Sequence, residues 1–218
     1  MTLVVGIDEA GRGPVIGSLF MAGVLINEKD SSKLKKIGAK DSKLIKAQDR
    51  IPISKEILKI AKKSKVLEVT PKEIDATLAS EDSNLNWLEA QKIAEIINFL
   101  KPNKAIIDCP SPNLKAYENY IKKHLNNPDI NLIIQHKADA KFPSVGAASL
   151  LAKIEREKNV ASIEKKVGES IGSGYPSNPI CQAFLKKNYK KYPDIFRKSW
   201  QTYKKLIKGK SQKKLGEF

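Results

Sequence analysis

The sequence predicts an α/β fold. It is a mixed sheet of about five strands, with strands one to three antiparallel and strands four and five parallel additions, flanked by helices and followed by a C-terminal helical extension. Three observations point there. Five short runs of aliphatic and β-branched residues, at 3–7, 18–26, 64–70, 104–108 and 130–136, have the length of strands. The first three lack long crossovers, which favours a meander, whereas helical-period segments separate the later ones. Over 218 residues, 41% are hydrophobic and 29% charged, enough to bury a core without disulfides.

Each element has its own justification. Residues 3–7 (LVVGI) run apolar into Asp8 and Glu9, which end the first strand, and residues 18–26 (SLFMAGVLI) follow a Gly-rich turn. Residues 30–50 are polar and Lys-rich, a short helix and loop. Ile53, Ile57, Leu58 and Ile60 recur at helical spacing over 53–63, and 64–70 gives the third strand. Residues 71–101 read as helical: Thr70 and Pro71 supply cap and first turn, and Leu85, Leu88, Ile93, Ile96, Ile97 and Leu100 supply an apolar face ended by Pro102. Residues 104–108 (KAIID) form a strand ending in an acid, 114–125 a helix, 130–136 (INLIIQH) the last strand and 137–143 a loop. Ser144 is placed to cap a helix reaching about Lys166, whose small residues Gly146, Ala147, Ala148 and Ser149 allow close approach to a sheet. Residues 180–218 form a basic helical tail bearing Phe184, Leu185, Tyr189 and Tyr192, then Trp200, Tyr203 and Leu206.

Composition removes several classes. The apolar run at 19–26 falls far short of the ~20 residues of a membrane span, so no membrane association is expected. No basic region precedes an apolar run at the N-terminus, so no signal peptide is expected. Cys109 and Cys181 are too few for a disulfide framework or a four-cysteine zinc site, and a reducing cytoplasm is the expected compartment. Residues 1–140 carry 22 basic and 18 acidic side chains, a net of +4, whereas residues 141–218 carry 18 and 6, a net of +12. A basic C-terminal third suggests a polyanionic partner, most simply nucleic acid; solubility alone would also account for the lysines.

Four acids stand at strand ends: Asp8 and Glu9 after the first strand, Asp108 at the end of the fourth and Asp139 just past the fifth. Ligands of open α/β sheets gather outside the carboxyl ends of strands. If strands one, four and five are neighbours, the carboxylates converge, and hard divalent ions such as Mg²⁺ or Mn²⁺ suit them. Taken singly, each acid is equally at home as a surface cap. The turn Gly11-Arg12-Gly13-Pro14-Val15-Ile16-Gly17 has the spacing GxGxxxG and is followed by a strand, which excludes a dinucleotide fingerprint, and it lacks the Gly-Lys-Ser/Thr of a P-loop. Its glycines allow a ligand close to the backbone. Lys137 and Lys141 flank Asp139 as candidate phosphate contacts, and Tyr175 sits between glycines in Gly172-Ser173-Gly174-Tyr175-Pro176, where it could stack on a base or sugar or fill a core corner.

Together the segments GIDEAGRGPVIG (6–17), DSK (41–43), IIDCPS (106–111), HKADAKFP (136–143), AASLLAK (147–153), GSGYPSNP (172–179) and SWQT (199–202) resemble the ribonuclease HII family, in its single-chain archaeal form. The resemblance implies an RNase H-like catalytic domain over 1–176 and a basic helical region over 177–218. It implies metal-dependent hydrolysis of the RNA strand of RNA–DNA hybrids, and cutting 5′ of ribonucleotides embedded in duplex DNA. Two Mg²⁺ or Mn²⁺ ions take part, and the products are 3′-hydroxyl and 5′-phosphate ends. Ribonucleotide removal and RNA primer removal are the implied roles.

Asp8, Glu9, Asp108 and Asp139 match the family's catalytic metal ligands. Asp8 is expected on both ions, Glu9 and Asp108 on one each or sharing the second, and Asp139 near the attacking water. Gly11, Arg12 and Gly13 match the turn that reads the ribose 2′-hydroxyl, Lys43 a backbone contact, and Tyr175 a ring that stacks on the following deoxyribose. Asn178, Gly146 and Phe142 depart from the common Asp, Ser and Tyr. His124 and His136 are read as structural, and Cys109 as a small buried side chain.

Gln212, Leu215 and Phe218 spell Q-x-x-L-x-x-F, which resembles a sliding-clamp motif carrying one aromatic in place of two; a frayed basic tail is the plainer reading. A monomer is expected. Ribonuclease HIII carries an additional N-terminal domain, for which a strand beginning at residue 3 leaves no room, and a transposase or resolvase of this fold would not need the Gly11–Gly13 turn. The alternative of another class is a non-catalytic nucleic-acid and clamp-binding protein on an RNase H-like fold.

Overall fold

The five apolar runs become β1 (Leu3–Ala10), β2 (Leu19–Asn27), β3 (Lys63–Val69), β4 (Lys104–Asp108) and β5 (Asn131–Gln135), one sheet in the order β3-β2-β1-β4-β5. This is a computed structural model, and it describes residues 2–39 and 45–215, with 209–215 by backbone alone. β1 pairs antiparallel with β2 and parallel with β4, and β4 pairs parallel with β5. The expected mixed α/β sheet is therefore present, with β1 at its centre.

The helices are α1 (Ser31–Lys36), α2 (Ala47–Ile60), α3 (Pro71–Leu78), α4 (Leu85–Leu100), α5 (Leu114–Lys122), α6 (Pro143–Val167), α7 (Pro179–Asn188) and α8 (Gln201–Leu215). The chain divides into two compact units. The first is Met1–Ala10, Phe20–Glu68 and Leu85–Glu155; the second is Gly11–Leu19, Val69–Asn84 and Arg156–Phe218.

The first unit holds most of the sheet. All of β2 is buried, as expected of a strand covered on both faces. Side chains alternate across a strand, so Phe20, Ala22, Val24 and Ile26 share one face, where they pack with Ala147, Ala148 and Leu151 of α6. Gly6, paired with Val24, lies under the start of α6: a Cβ there would sit 2.2 Å from the Ser144 carbonyl carbon. Gly23, paired with Ile7, faces the other way, where a Cβ would sit 2.4 Å from Ile96 of α4. One face of the sheet thus belongs to α6 and the other to α4, with α5 joined to α4 by a Trp87–Tyr120 stack at 4.4 Å.

The second unit has its own core of Val15, Ile16, Ile163, Ile171, Phe184, Leu185, Phe196 and Tyr203. Thr70 and Asn178 cap α3 and α7, accepting from the Glu73 and Cys181 amides, with Pro71 and Pro179 at the first positions.

Three expectations need correction. The helix expected over 71–101 is two helices, because Ser80-Glu81-Asp82-Ser83-Asn84 is a run of residues that prefer turns to helix interior. β1 does not stop at its acids: Asp8, Glu9 and Ala10 keep pairing with Ala22, Met21 and Phe20, since a ladder depends on backbone, and it ends at Gly11 with φ +86°. α2 runs Ala47–Ile60 where 53–63 is expected: it starts about two turns earlier, includes Pro52, and gives way to β3 at Lys63. The described helices include none long and apolar enough to cross a membrane.

Candidate active site

Strand register brings the acids together. β1 and β4 run parallel with Ile7 opposite Ile107, so Asp8 and Asp108, each one residue further on, leave adjacent strands at the same level. Asp108 pairs in turn with Gln135, the last residue of β5. From there the chain reverses through Lys137, held left-handed at φ +56°, into a 3-10 turn at Ala138–Ala140 that carries Asp139. The Ala138 amide donates to Asp108 Oδ1 at 3.0 Å and fixes this return. His136 bridges the same two strand ends through Nδ1, 2.8 Å from the Cys109 carbonyl oxygen.

One carboxylate oxygen each from Asp8, Asp108 and Asp139 lies within 4.8 Å of the others. Asp8 and Asp139 are buried and Asp108 half-buried. Burial pushes the Asp8 carboxyl up from 3.8 to about 7. The charges of Asp108 and Asp139 add to the rise, and hydrogen bonds from Ser149 and the Glu9 amide (2.7 Å) oppose it. Three acids so placed repel one another unless a cation lies among them. An all-carboxylate set is the donor chemistry of hard divalent ions, so these residues fit Mg²⁺ or Mn²⁺.

Glu9 is not in this group. Asp8 pairs with Ala22 on the α6 face, where Ser149 meets it, and Glu9 follows it on β1, paired with Met21. The Cys109 thiol is pushed up to about 11, chiefly by burial, and the Glu9 charge adds to the rise. Lys137 and Lys141 are exposed. Lys43 lies outside the described residues, as does Phe218; Gln212 and Leu215 fall in the backbone of α8 with their side chains outside the described ones.

Gly11, Arg12, Gly13 and Tyr175 belong to the second unit, where they form a local group. Tyr175 is 44% exposed, and its ring would lie 3.2 Å from a Cβ on Gly13, so the glycine makes room for the ring. Gly172 and Gly174, at φ +61° and +77°, shape the Tyr175 loop, and the Gly174 carbonyl accepts from the Val15 amide at 2.9 Å. Sequence reasoning missed Ser149, Arg156, Arg197 and Trp200. Ser149 carried one signal, a polar residue in a run of small ones that approaches the sheet. The others showed as ordinary basic and aromatic residues.

The ribonuclease HII family profile matches residues 5–203, nearly the whole described chain. The chain belongs to the ribonuclease HII family. A ribonuclease HII from Methanocella arvoryzae is 41% identical over 99% of this chain and 96% of its own. The crystal structure of the ribonuclease H2 from Pyrococcus horikoshii superposes with a TM-score of 0.85 at 39% identity, covering 95% of this chain and 98% of that one. The PCNA:RNase HII complex from Archaeoglobus fulgidus contains a chain similar to this one, with a TM-score of 0.82 at 36% identity and coverage of 91% and 95%. The RNase H-like fold is thereby shown, and ribonuclease HII membership makes the protein a metal-dependent endoribonuclease.

Proposed function

We propose that the protein hydrolyses the RNA strand of RNA–DNA hybrids and cuts on the 5′ side of ribonucleotides embedded in duplex DNA, leaving 3′-hydroxyl and 5′-phosphate ends. The observation that carries the reading is the convergence of Asp8, Asp108 and Asp139 within 4.8 Å at the ends of three neighbouring chain segments. Asp8, Asp108 and Asp139 hold two Mg²⁺ or Mn²⁺ ions, with Glu9 as the fourth ligand. When bound, such ions supply a water activated at neutral pH and stabilise the leaving oxygen. The chain's other groups orient the acids: Ser149 bonds to Asp8, and the Ala138 amide holds Asp108. Lys137, Lys141 and Lys43 contact phosphates, Gly11, Arg12 and Gly13 read the 2′-hydroxyl, and Tyr175, exposed beside Gly13, stacks on the following deoxyribose. A 2′-hydroxyl on that sugar crowds the stack, which favours an RNA–DNA junction.

The wider reading is a cytoplasmic monomer that removes ribonucleotides and RNA primers. Its catalytic domain is 1–176, and its basic region 177–218 ends in a clamp-binding tail at Gln212, Leu215 and Phe218. The similar chain in the PCNA complex supports a clamp as partner.

The deciding experiment incubates the protein and Mg²⁺ or Mn²⁺ with end-labelled duplex DNA carrying one ribonucleotide, beside an all-DNA control. One cut 5′ of the ribonucleotide, absent from the control, is expected. Cutting of long hybrids alone would keep the metal site and remove the junction reading; no cutting of either by folded protein would remove both. For the tail, retention on an immobilised clamp is expected to fall in Phe218→Ala, and equal retention would sink that part.

A further inference from the structure

The loop between β1 and β2 has an unusual hydrogen-bond account. Loop carbonyls ordinarily face water. Here six of them, from Gly11, Arg12, Gly13, Val15, Ile16 and Gly17, accept bonds from the protein. Arg197 supplies four of these bonds. Its guanidinium donates to Gly11 O at 2.6 Å, Arg12 O at 2.8 Å and Gly17 O at 2.9 Å, and its own amide donates to Val15 O at 2.9 Å. Trp200 Nε1 takes Gly13 O at 2.9 Å, and Arg156 Nη2 takes Ile16 O at 2.9 Å. All these residues lie within the second unit.

Arg197 is fully buried, with its guanidinium 4.8 Å from the Trp200 ring centre. Taking a guanidinium out of water is costly unless its donors are used. Here all three guanidinium nitrogens donate to carbonyls of one seven-residue turn. Gly11 has φ +86°, and a Cβ on it would meet the Arg156 Cδ at 2.8 Å.

A trans peptide sets the carbonyl of one residue and the amide of the next in opposite directions. With the Gly11 and Arg12 carbonyls turned onto Arg197, the Arg12 and Gly13 amides project away from it. Gly13 is exposed, and its amide has no hydrogen-bond partner among the described residues. It lies beside the exposed Tyr175 ring.

We infer that Arg197, assisted by Trp200, is a positioning residue for ribonucleotide recognition. By holding the carbonyls of the Gly11–Gly17 loop inward, it presents the Gly13 amide as an outward donor to a sugar hydroxyl of the substrate. This rests on the proposed reading of the Gly11–Gly13 turn and goes beyond it, since neither residue touches the substrate. Lysine cannot replace Arg197, because a single ammonium lacks the planar fork that reaches three carbonyls.

The test compares wild type, Arg197→Lys and Trp200→Phe in the Mg²⁺ cleavage assay. Two constants are measured: KM for a duplex with one ribonucleotide, and Ki of the identical all-DNA duplex as competitor. In Arg197→Lys, KM is expected to rise about tenfold towards Ki while Ki stays within about twofold, the size of roughly one lost hydrogen bond between neutral groups. Trp200→Phe keeps the ring and drops one bond, and a rise in KM of about threefold is expected. A merely structural role would lower kcat through loss of active molecules and leave the ratio of Ki to KM unchanged. That result in a folded Arg197→Lys overturns the inference. If the lysine variant does not fold, an unchanged ratio in Trp200→Phe overturns it. Failure of the wild type to cut at the ribonucleotide overturns the underlying functional reading instead, before any variant is compared.

Discussion

Burial holds the Asp8 carboxyl far above its ordinary titration range. It titrates near 7 in the folded chain against 3.8 ordinarily, so between those values the folded state retains a proton that the unfolded state has released. Metal-free protein is therefore expected to lose stability as pH rises from about 4 through about 7, by up to about 4 kcal/mol, and to recover it with added Mn²⁺. Asp8→Asn should flatten that slope in thermal melts, abolish cleavage and leave duplex affinity nearly intact; normal cutting by the variant would refute the metal site. Gly146 makes a different demand. A Cβ there would sit 2.0 Å from the Ala39 carbonyl oxygen, so a serine does not fit at this position unaltered. Gly146→Ser is expected to cost about 1–3 kcal/mol in urea unfolding, and a neutral result would mean that residues around Ala39 yield easily.

At the level of elements, α6 does the most to connect sheet and site. Its first half brings Ser149 to Asp8, and its second half begins with Arg156, which donates to Ile16 O of the Gly11–Gly17 loop. α7 depends on a single capping side chain: Asn178 Oδ1 accepts from the Cys181 amide at 3.0 Å. Asn178→Ala should lower stability by about 1 kcal/mol, and Asn178→Asp should leave it nearly unchanged, as equilibrium unfolding would reveal. Asp75 ties the segment before α8 in the same way, accepting from the Lys198 and Ser199 amides at 2.8 and 2.9 Å.

For the molecule as a whole, charge and chemistry are divided between regions of the chain. The acids occupy the first unit, and residues 141–218 bring a net of +12 against +4 for the rest. Duplex binding is thus expected to depend steeply on salt, weakening at least about tenfold between 50 and 200 mM, with the all-DNA and ribonucleotide duplexes falling in parallel because phosphate contacts carry no sugar information. A titration in which only the ribonucleotide duplex weakened would contradict this division.

Much of this protein could be read along the chain. Runs such as KAIID at 104–108 announce a strand because short β-branched segments have few other uses, and the order of strands and helices was enough for a mixed sheet. The four acids were legible as candidates because each follows an apolar run. Tertiary structure decided which of them meet. Parallel register between β1 and β4 sets Asp8 beside Asp108, and the left-handed Lys137 returns Asp139 to them. It also decided that Arg197, one cation among forty in the sequence, is buried against the carbonyls of a loop far earlier in the chain. Local pattern reports propensity and periodicity, whereas long-range pairing depends on which surfaces the folded chain brings within hydrogen-bonding distance.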